Sequence, residues 1–289
     1  MTALIGILAF IVLGPVVGGL LAGADRILTA RMQSRVGPPL MQPFYDVGKL
    51  WGKQGTVVNR YQTLFIWCFL AFVVIGGMVF FSGGDLLVCV FALTVAGVFL
   101  TVTAHSANSP YSNIGADREL LQMMSYEPML IIAVLGFYLM LGTFRVEEIV
   151  KADKATLAYL PGVFLGFLFI LTIKLRKSPF DLSSSHHGHQ ELVKGVTTEI
   201  SGRDLAVFEI AHLYENTIIL GLIYLFFAWL PVWAAVPLAL VIYFLEVYVD
   251  NTNARLKWQQ TVKSSWIVAG TVGALNLLLL SVLLYYSKI

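Results

Sequence analysis

The chain has 289 residues, of which 58% are hydrophobic and only 12% are charged. Its mean hydropathy of +0.80 is typical of an integral membrane protein and excludes a soluble globular domain. The small formal net charge of +2 gives no sign of a nucleic-acid partner.

Eight apolar runs predict eight transmembrane helices within a single membrane domain, residues 1–289. Each run approaches the roughly 20 residues that cross about 30 Å of hydrocarbon. The first run lacks the basic start of a signal peptide, so we expect it to remain as the first span. The predicted spans cover residues 3–24, 64–81, 86–104, 128–144, 155–173, 216–235, 231–249 and 264–286.

The lysines and arginines are distributed unevenly between the two sides of this predicted bundle. The side that holds both termini has only Arg145, Lys151, Lys154 and Lys288. The others lie in four alternate loops, residues 25–62, 106–126, 174–204 and 251–263. The positive-inside rule therefore predicts that these polar loops face the cytoplasm and that both termini lie outside the cell membrane.

A short amphipathic helix is predicted in the first basic loop. Phe44, Val47 and Trp51 fall at i, i+3 and i+7, while Asp46 and Lys49 lie on the opposite side. Such a helix suits the membrane interface. It is either a surface anchor or a roof over a cavity where a partner docks.

Ionisable residues within or beside the predicted spans are the main functional candidates, because charges are costly in lipid. Glu209, His212 and Glu215 fall at i, i+3 and i+6 on one flank of the sixth helix. Glu127 opens the fourth predicted span beside a proline, where it is either a helix cap or a buried carboxylate. Glu246 lies inside the seventh span.

Two interpretations of these groups stay open. Several carboxylates in a low dielectric cannot all stay ionised, so they can pass protons along a wet path. Alternatively, they form buried pairs with lysine or arginine that only fix helix packing. We favour the proton path, because most basic residues are predicted in loops.

The loop after the fifth span contains His186, His187 and His189. Imidazoles at this spacing can bind zinc or nickel, but the sequence supplies no distant fourth ligand. A proton-sensitive lining beside partner subunits and a plain solvated loop are the alternatives. The two cysteines, Cys68 and Cys89, lie inside predicted spans. We therefore expect this chain to hold no iron–sulfur or nickel–iron centre.

Three motifs occur in order along the chain. They are Arg35-Val36-Gly37-Pro38 with Leu40-Met41-Gln42-Pro43-Phe44, then Ser125-Tyr126-Glu127, then Pro179-Phe180-Asp181-Leu182 with Gln190-Glu191-Leu192 and Thr198-Glu199. Together they resemble subunit 1 of respiratory complex I over nearly the whole chain. The histidine-rich link at residues 183–189 is similar instead to the membrane subunit of group 4 energy-converting nickel–iron hydrogenases, including formate hydrogenlyase-type relatives.

The resemblance implies a membrane anchor and coupling subunit with no redox centre of its own. Its expected partners are the hydrogenase large and small subunits, a ferredoxin-like iron–sulfur subunit and an antiporter-like membrane subunit. The nickel–iron centre and the iron–sulfur clusters are expected in the hydrophilic partners, where ferredoxin and proton redox chemistry would drive H+ or Na+ translocation. A complex I subunit lining a quinone cavity, a stand-alone secondary ion transporter and a purely structural anchor remain alternatives.

The resemblance also implies roles for two sets of residues. The ion path is expected to use Asp181, Glu191 and Glu199 in the loop and Glu127, Glu209, His212, Glu215 and Glu246 in the membrane. The partner or cavity loop is expected to use Arg35, Gln42, Asp46, His186, His187 and His189.

Overall fold

The computed structural model describes residues 2–55, 59–180, 182–183 and 194–286. Helices make up most of these ranges, and the only β-type pairing within them is a bridge between Asp85 and Arg145. This result confirms the predicted all-helical fold.

We number the helices in chain order. They are α1 (Thr2–Met32), α2 (Gln42–Trp51), α3 (Arg60–Phe81), α4 (Leu86–His105), α5 (Pro110–Leu141), α6 (Val146–Lys151), α7 (Thr156–Tyr159), α8 (Pro161–Lys174), α9 (Gly202–Leu225), α10 (Val232–Thr252), α11 (Trp258–Val268) and α12 (Ala274–Tyr286). A π-helical turn, Ala269–Gly273, joins α11 to α12, and a 3-10 turn, Gly195–Thr197, precedes α9.

Seven helical segments of the described chain are long and apolar enough to span a membrane. They are α1, α3, α4, α5, α9, α10 and the continuous α11–α12 segment. The span predicted at residues 155–173 is broken instead, because α7 ends before Leu160 and α8 has only 14 residues. That length corresponds to about 21 Å, less than the roughly 30 Å of hydrocarbon. The chain is thus a multi-pass membrane protein with seven candidate spans among the described residues.

A side chain from α12 caps the short helix α8. Asn276 accepts a hydrogen bond from the backbone N–H of Val163 (3.1 Å) and donates one to the carbonyl of Tyr159 (3.4 Å). Val163 lies in the first turn of α8, where backbone N–H groups have no partner within their own helix. Asn276 therefore bridges the break between α7 and α8.

Replacing Asn276 with leucine removes both hydrogen bonds. We expect the free energy of unfolding to fall by about 1 kcal/mol, because interhelical hydrogen bonds in membranes contribute roughly that much. The measurement is thermal unfolding of the purified protein in detergent. Thr271→Val is the matched control, since the Thr271 hydroxyl donates to Ile267 of its own helical segment (2.7 Å). An equal loss of stability in both variants would contradict the capping role.

Helix α5 begins earlier than the fourth predicted span. It starts at Pro110 and continues through Pro128 to Leu141. Glu127 therefore lies inside a helix, and its interpretation as an N-terminal cap is wrong. The interior proline is tolerated because neighbouring groups in a helical membrane protein can satisfy the backbone that it frees.

Helix α9 lies at the centre of the bundle, where it contacts α1, α2, α3 and α10. Its approach to α1 is close enough to require glycine. A Cβ atom on Gly18 would lie 1.8 Å from the carbonyl oxygen of Leu213. At the same contact, the Thr217 hydroxyl donates to the carbonyl of Gly14 (2.6 Å). This contact fixes the position of α9, the helix that carries Glu209, His212 and Glu215.

Candidate functional site

A short segment after α8 carries three cations into the interior of the bundle. Lys174 ends α8, and Arg176 and Lys177 follow it. We call residues 174–180 the cationic segment. Its three basic side chains reach carboxylates on four helices, α1, α5, α9 and α10. Cations that the sequence places in a loop are thus folded back onto buried acids.

Arg176 clamps α5 to α9. Its Nη2 and Nε atoms donate to the two carboxylate oxygens of Glu119, at 2.6 and 3.2 Å, and its Nη1 donates to Nε2 of His212 at 2.7 Å. Its backbone is left-handed, with φ 51°, which costs an L-residue roughly 1–2 kcal/mol. Burial alone would lower the pKa of Arg176, but the carboxylates of Glu119 and Glu215 hold that pKa above its ordinary value. The guanidinium therefore stays charged.

Lys174 pairs with Glu215 of α9. The Lys174 Nζ and Glu215 Oε1 atoms are 2.6 Å apart, and the two side chains are only 10% and 9% exposed. The ammonium also lies 3.4 Å from the Tyr126 hydroxyl and 4.8 Å from the centroid of the Tyr126 ring. A cation over an aromatic face is attracted by the quadrupole of the ring. Lys174 thus has an acidic partner on α9 and an aromatic partner on α5.

His212 joins the two ion pairs. Its Nδ1 atom lies 3.1 Å from Oε2 of Glu215, while its Nε2 atom accepts from Arg176. Because a guanidinium can only donate, Nε2 carries no proton, so Nδ1 holds the single ring proton and donates it to Glu215. We call the resulting network the inner cluster; its members are Glu119, Tyr126, Lys174, Arg176, His212 and Glu215.

Lys177 anchors the cationic segment to a second group of acids. Its Nζ atom lies 2.6 Å from Asp25 of α1 and 3.8 Å from Asp250 of α10, and the Ser178 N–H donates to Asp250 at 2.8 Å. Glu246, one turn earlier on α10, is 2% exposed and interacts electrostatically with Lys177. Its Oε2 atom has no hydrogen-bond partner within the described residues. We call Asp25, Lys177, Glu246 and Asp250 the outer cluster.

The end of the cationic segment is fixed by α5. The Gln122 side chain donates to the carbonyl of Phe180 at 2.5 Å, and the buried Phe180 ring packs edge-on against Phe169 of α8. The polar loop that begins at residue 181 therefore starts from a point held by two helices.

The structure brings only part of the predicted ion path together. His212 and Glu215 belong to the inner cluster. Glu127 lies beside it, one residue after Tyr126, and its Oε1 atom is buried with no hydrogen-bond partner in the described ranges. Glu246 lies apart from these residues, in the outer cluster.

The other predicted path residues are not in either cluster. Glu209 is half-buried on α9, and its carboxylate forms no ion pair or hydrogen bond with another described residue. Glu199 lies in the turn before α9, where its backbone carbonyl accepts from Gln62 at 3.4 Å. Five further positions lie outside the described residues: Asp181, His186, His187, His189 and Glu191.

The residues predicted to roof a cavity are partly assembled. Gln42 donates to Asp46 within α2 (2.8 Å), and Asp46 also accepts from Arg26 of α1 (2.7 Å). These contacts tie α2 to α1. Arg35 is exposed and hydrogen-bonds to Gln33 instead, so the structure does not bring it to Gln42 or Asp46.

Sequence reasoning missed Glu119 and the basic partners Lys174 and Arg176. The expectation that few basic residues could reach the buried acids is wrong for Glu215, which pairs with Lys174. One signal was present in α5, because Glu119, Gln122 and Tyr126 fall at i, i+3 and i+7 and are all buried.

The two clusters hold ionisable side chains away from water. A buried charge is costly without a partner, so movement or removal of one member favours a change in protonation of another. Among the described residues, no three His, Cys, Asp or Glu side chains are arranged to bind a metal ion.

The candidate spans and the buried clusters define a multi-pass membrane protein with ionisable networks in its interior. Residues 4–281 match the family model described as NADH dehydrogenase. The chain therefore belongs to this family, that of complex I subunit 1.

Individual relatives come from two kinds of complex. The chain is 30% identical over 306 residues to the H subunit of NADH-quinone oxidoreductase from Geobacillus sp. (strain WCH70), covering 93% of this chain and 90% of that protein. It is 29% identical over 205 residues to Hydrogenase-4 component C of Escherichia coli (strain K12), covering 65% of this chain and 64% of that protein.

A solved structure shares the fold. One chain of the membrane-bound sulfane sulfur reductase, an archaeal respiratory membrane complex, matches with a TM-score of 0.82 at 23% identity. The match covers 97% of this chain and 100% of that one.

Proposed function

We propose that the chain is the membrane anchor and coupling subunit of a group 4 energy-converting nickel–iron hydrogenase. The observation that carries this proposal is the cationic segment. It connects the polar loop after α8 directly to buried acids on four helices. A change of position or charge in that loop then alters ion pairs inside the membrane domain, which is what a coupling subunit must do.

The proposed arrangement has eight spans, with α8 as a short one, and α2 at the membrane interface. The basic loops face the cytoplasm, where the hydrogenase large and small subunits and a ferredoxin-like subunit dock. Those partners hold the nickel–iron centre and the iron–sulfur clusters. An antiporter-like membrane subunit completes the path for H+ or Na+. The similarity to Hydrogenase-4 component C supports this choice of complex.

A quinone-reducing complex I is the second candidate. It is favoured by the match to the NADH-quinone oxidoreductase protein of Geobacillus, which covers 90% of that relative. The chain would then line a quinone cavity with its polar loop. A stand-alone transporter is less well supported, because the similar solved chain is part of a respiratory membrane complex.

Purification of the native complex in mild detergent separates these candidates. We expect nickel and iron in the complex, together with hydrogen evolution from reduced ferredoxin or a viologen dye without quinone. A complex that lacks nickel but contains flavin and reduces quinone would replace the hydrogenase proposal with the complex I one. A chain that purifies alone and transports ions would contradict both.

Glu246→Gln tests the coupling role of the outer cluster. The carboxyl is buried and one oxygen has no hydrogen-bond partner in the described chain, so the neutral amide should be accepted without loss of assembly. We expect ion translocation in vesicles to fall by about tenfold or more, as for loss of a positioned proton-transfer group. Hydrogen evolution in detergent should stay near the wild-type rate. Glu148→Gln, in the short helix α6, is the exposed control; equal translocation by the two variants would exclude Glu246 from the path.

A further inference from the structure

We propose that a cleft between the end of α2 and the start of α9 binds the phosphate of an anionic phospholipid through Lys53 and Arg203. We call it the interfacial cleft. The inference goes beyond the proposed coupling function and applies equally to either candidate complex. Three features carry it: the size of the cleft, the two cations on its walls and the depth at which it lies.

The interfacial cleft is large enough for a lipid headgroup. Its volume is about 540 Å³, within the roughly 300–1,000 Å³ that is usual for ligand sites. Three parts of the chain line it: residues 52–55 after α2, Thr63 of α3, and Ser201, Arg203 and Asp204 at the start of α9. Segments that are far apart in sequence therefore meet around one polar space.

The walls of the interfacial cleft are held together by close contacts. A Cβ atom on Gly202, whose φ is +55°, would lie 2.7 Å from the Cα and N atoms of Gly55, so the chain after α2 packs directly on the start of α9. On the other side, the Thr63 hydroxyl of α3 donates to the Asp204 carboxylate at 2.8 Å. The cleft is thus a space between three joined elements.

Two cations on these walls have no acidic partner among the described residues. The side chains of Lys53 and Arg203 are exposed, and neither forms an ion pair or hydrogen bond with another described residue. Arg26 of α1, by contrast, pairs with Asp46 at 2.7 Å. The lining residues include one carboxylate, Asp204, so two cations outnumber it. A lysine ammonium and an arginine fork are both suited to phosphate oxygens.

The interfacial cleft lies at the depth of lipid headgroups. The candidate spans of α3 and α9 begin at Tyr61 and Gly202, beside the residues that line the cleft. Trp51 and Tyr61 are both exposed next to it, and such aromatic residues are enriched where a membrane meets water. Basic pockets between transmembrane helices at this depth bind anionic headgroups. Depth and charge together therefore favour a phospholipid as the source of the phosphate.

The test is a lipid titration of the whole complex, purified in mild detergent and stripped of lipid. Phosphatidylglycerol, phosphatidylcholine and inorganic phosphate are added separately, and the Tm is measured at each concentration. We expect phosphatidylglycerol alone to raise the Tm to a plateau. In the double variant Lys53→Gln with Arg203→Gln, the concentration that gives half of this rise should increase at least about tenfold, because two charge-assisted hydrogen bonds are lost.

A second double variant controls for surface charge. Lys49→Gln with Arg31→Gln removes the same charge from exposed positions that do not line the interfacial cleft. Its titration with phosphatidylglycerol should match that of the wild type. An equal weakening in both double variants would mean that the lipid responds to overall charge, and would overturn the site.

The remaining outcomes each decide the proposal. A full rise in Tm with inorganic phosphate, or with phosphatidylcholine, overturns an anionic phospholipid as the ligand. An unchanged titration in the double variant overturns the two cations, and if that variant also loses a partner subunit, the cleft is a protein interface. If the double variant does not assemble, Lys53→Gln and Arg203→Gln are titrated singly, each with at least about a threefold weakening expected. None of these results depends on the nickel content that tests the proposed function.

Discussion

Replacing Gly18 with leucine will prevent the folded chain from accumulating in the membrane. The new Cβ atom would lie 1.8 Å from the Leu213 carbonyl oxygen and 2.7 Å from its carbon. Both are backbone atoms, so no side-chain rotation relieves the overlap. Helices α1 and α9 must separate, and the hydrogen bond from Thr217 to the Gly14 carbonyl is lost with their contact. We expect a loss of more than about 3 kcal/mol, above the usual range for overpacking.

The measurement is the amount of chain in the membrane fraction, followed by thermal unfolding of whatever can be purified. Gly48→Leu is the matched control, because a Cβ atom at Gly48 meets nothing within 4 Å. Its level should equal that of the wild type. Normal accumulation of Gly18→Leu, with a Tm close to the wild-type value, would mean that α1 and α9 are not in this contact.

Replacing Arg176 with methionine will destabilise the protein by about 3–5 kcal/mol. The substitution leaves Glu119 buried without its bidentate partner, and an uncompensated buried charge costs that much. The Glu119 side chain is only 4% exposed, so water cannot replace the guanidinium. Thermal unfolding in detergent measures the loss.

Two comparisons isolate the cause. The double variant Arg176→Met with Glu119→Gln has no unpaired charge, and we expect it to regain most of the lost stability. Arg145→Met breaks an exposed pair, with 3.9 Å between Arg145 and Glu148, and should change the stability by less than about 1 kcal/mol. If the double variant were no more stable than Arg176→Met alone, burial of the Glu119 charge would not be the cause.

Local sequence patterns predicted the helical membrane fold but not the continuity of its helices. Hydropathy depends on composition along one segment, so the apolar runs were visible directly. Pro128 suggests a helix start, because proline favours a first turn. In the structure the helix continues through Pro128 from Pro110, an outcome that neighbouring helices decide and a single segment cannot reveal.

The candidate site was predicted only for residues whose charge is unusual in their own helix. His212, Glu215 and Glu246 stood out because they interrupt apolar runs. Lys174 and Arg176 looked like ordinary cations at the end of a span. Their partners depend on the turn after α8, which brings Arg176 to Glu119, 57 positions earlier in the chain. No spacing rule connects residues that far apart, so their pairing required the tertiary structure.

The unbroken length of α5 has a mechanical consequence. Its 32 residues extend about 48 Å, well beyond the roughly 30 Å of hydrocarbon. Near its N-terminal end, a Cβ atom on Gly115 would lie 2.4 Å from the backbone of Gly195 and Val196, in the 3-10 turn that precedes α9. Further along the same rod are Glu119 and Glu127. Because α5 is one continuous helix, a force applied near Gly195 would tilt or shift Glu119 and Glu127 together.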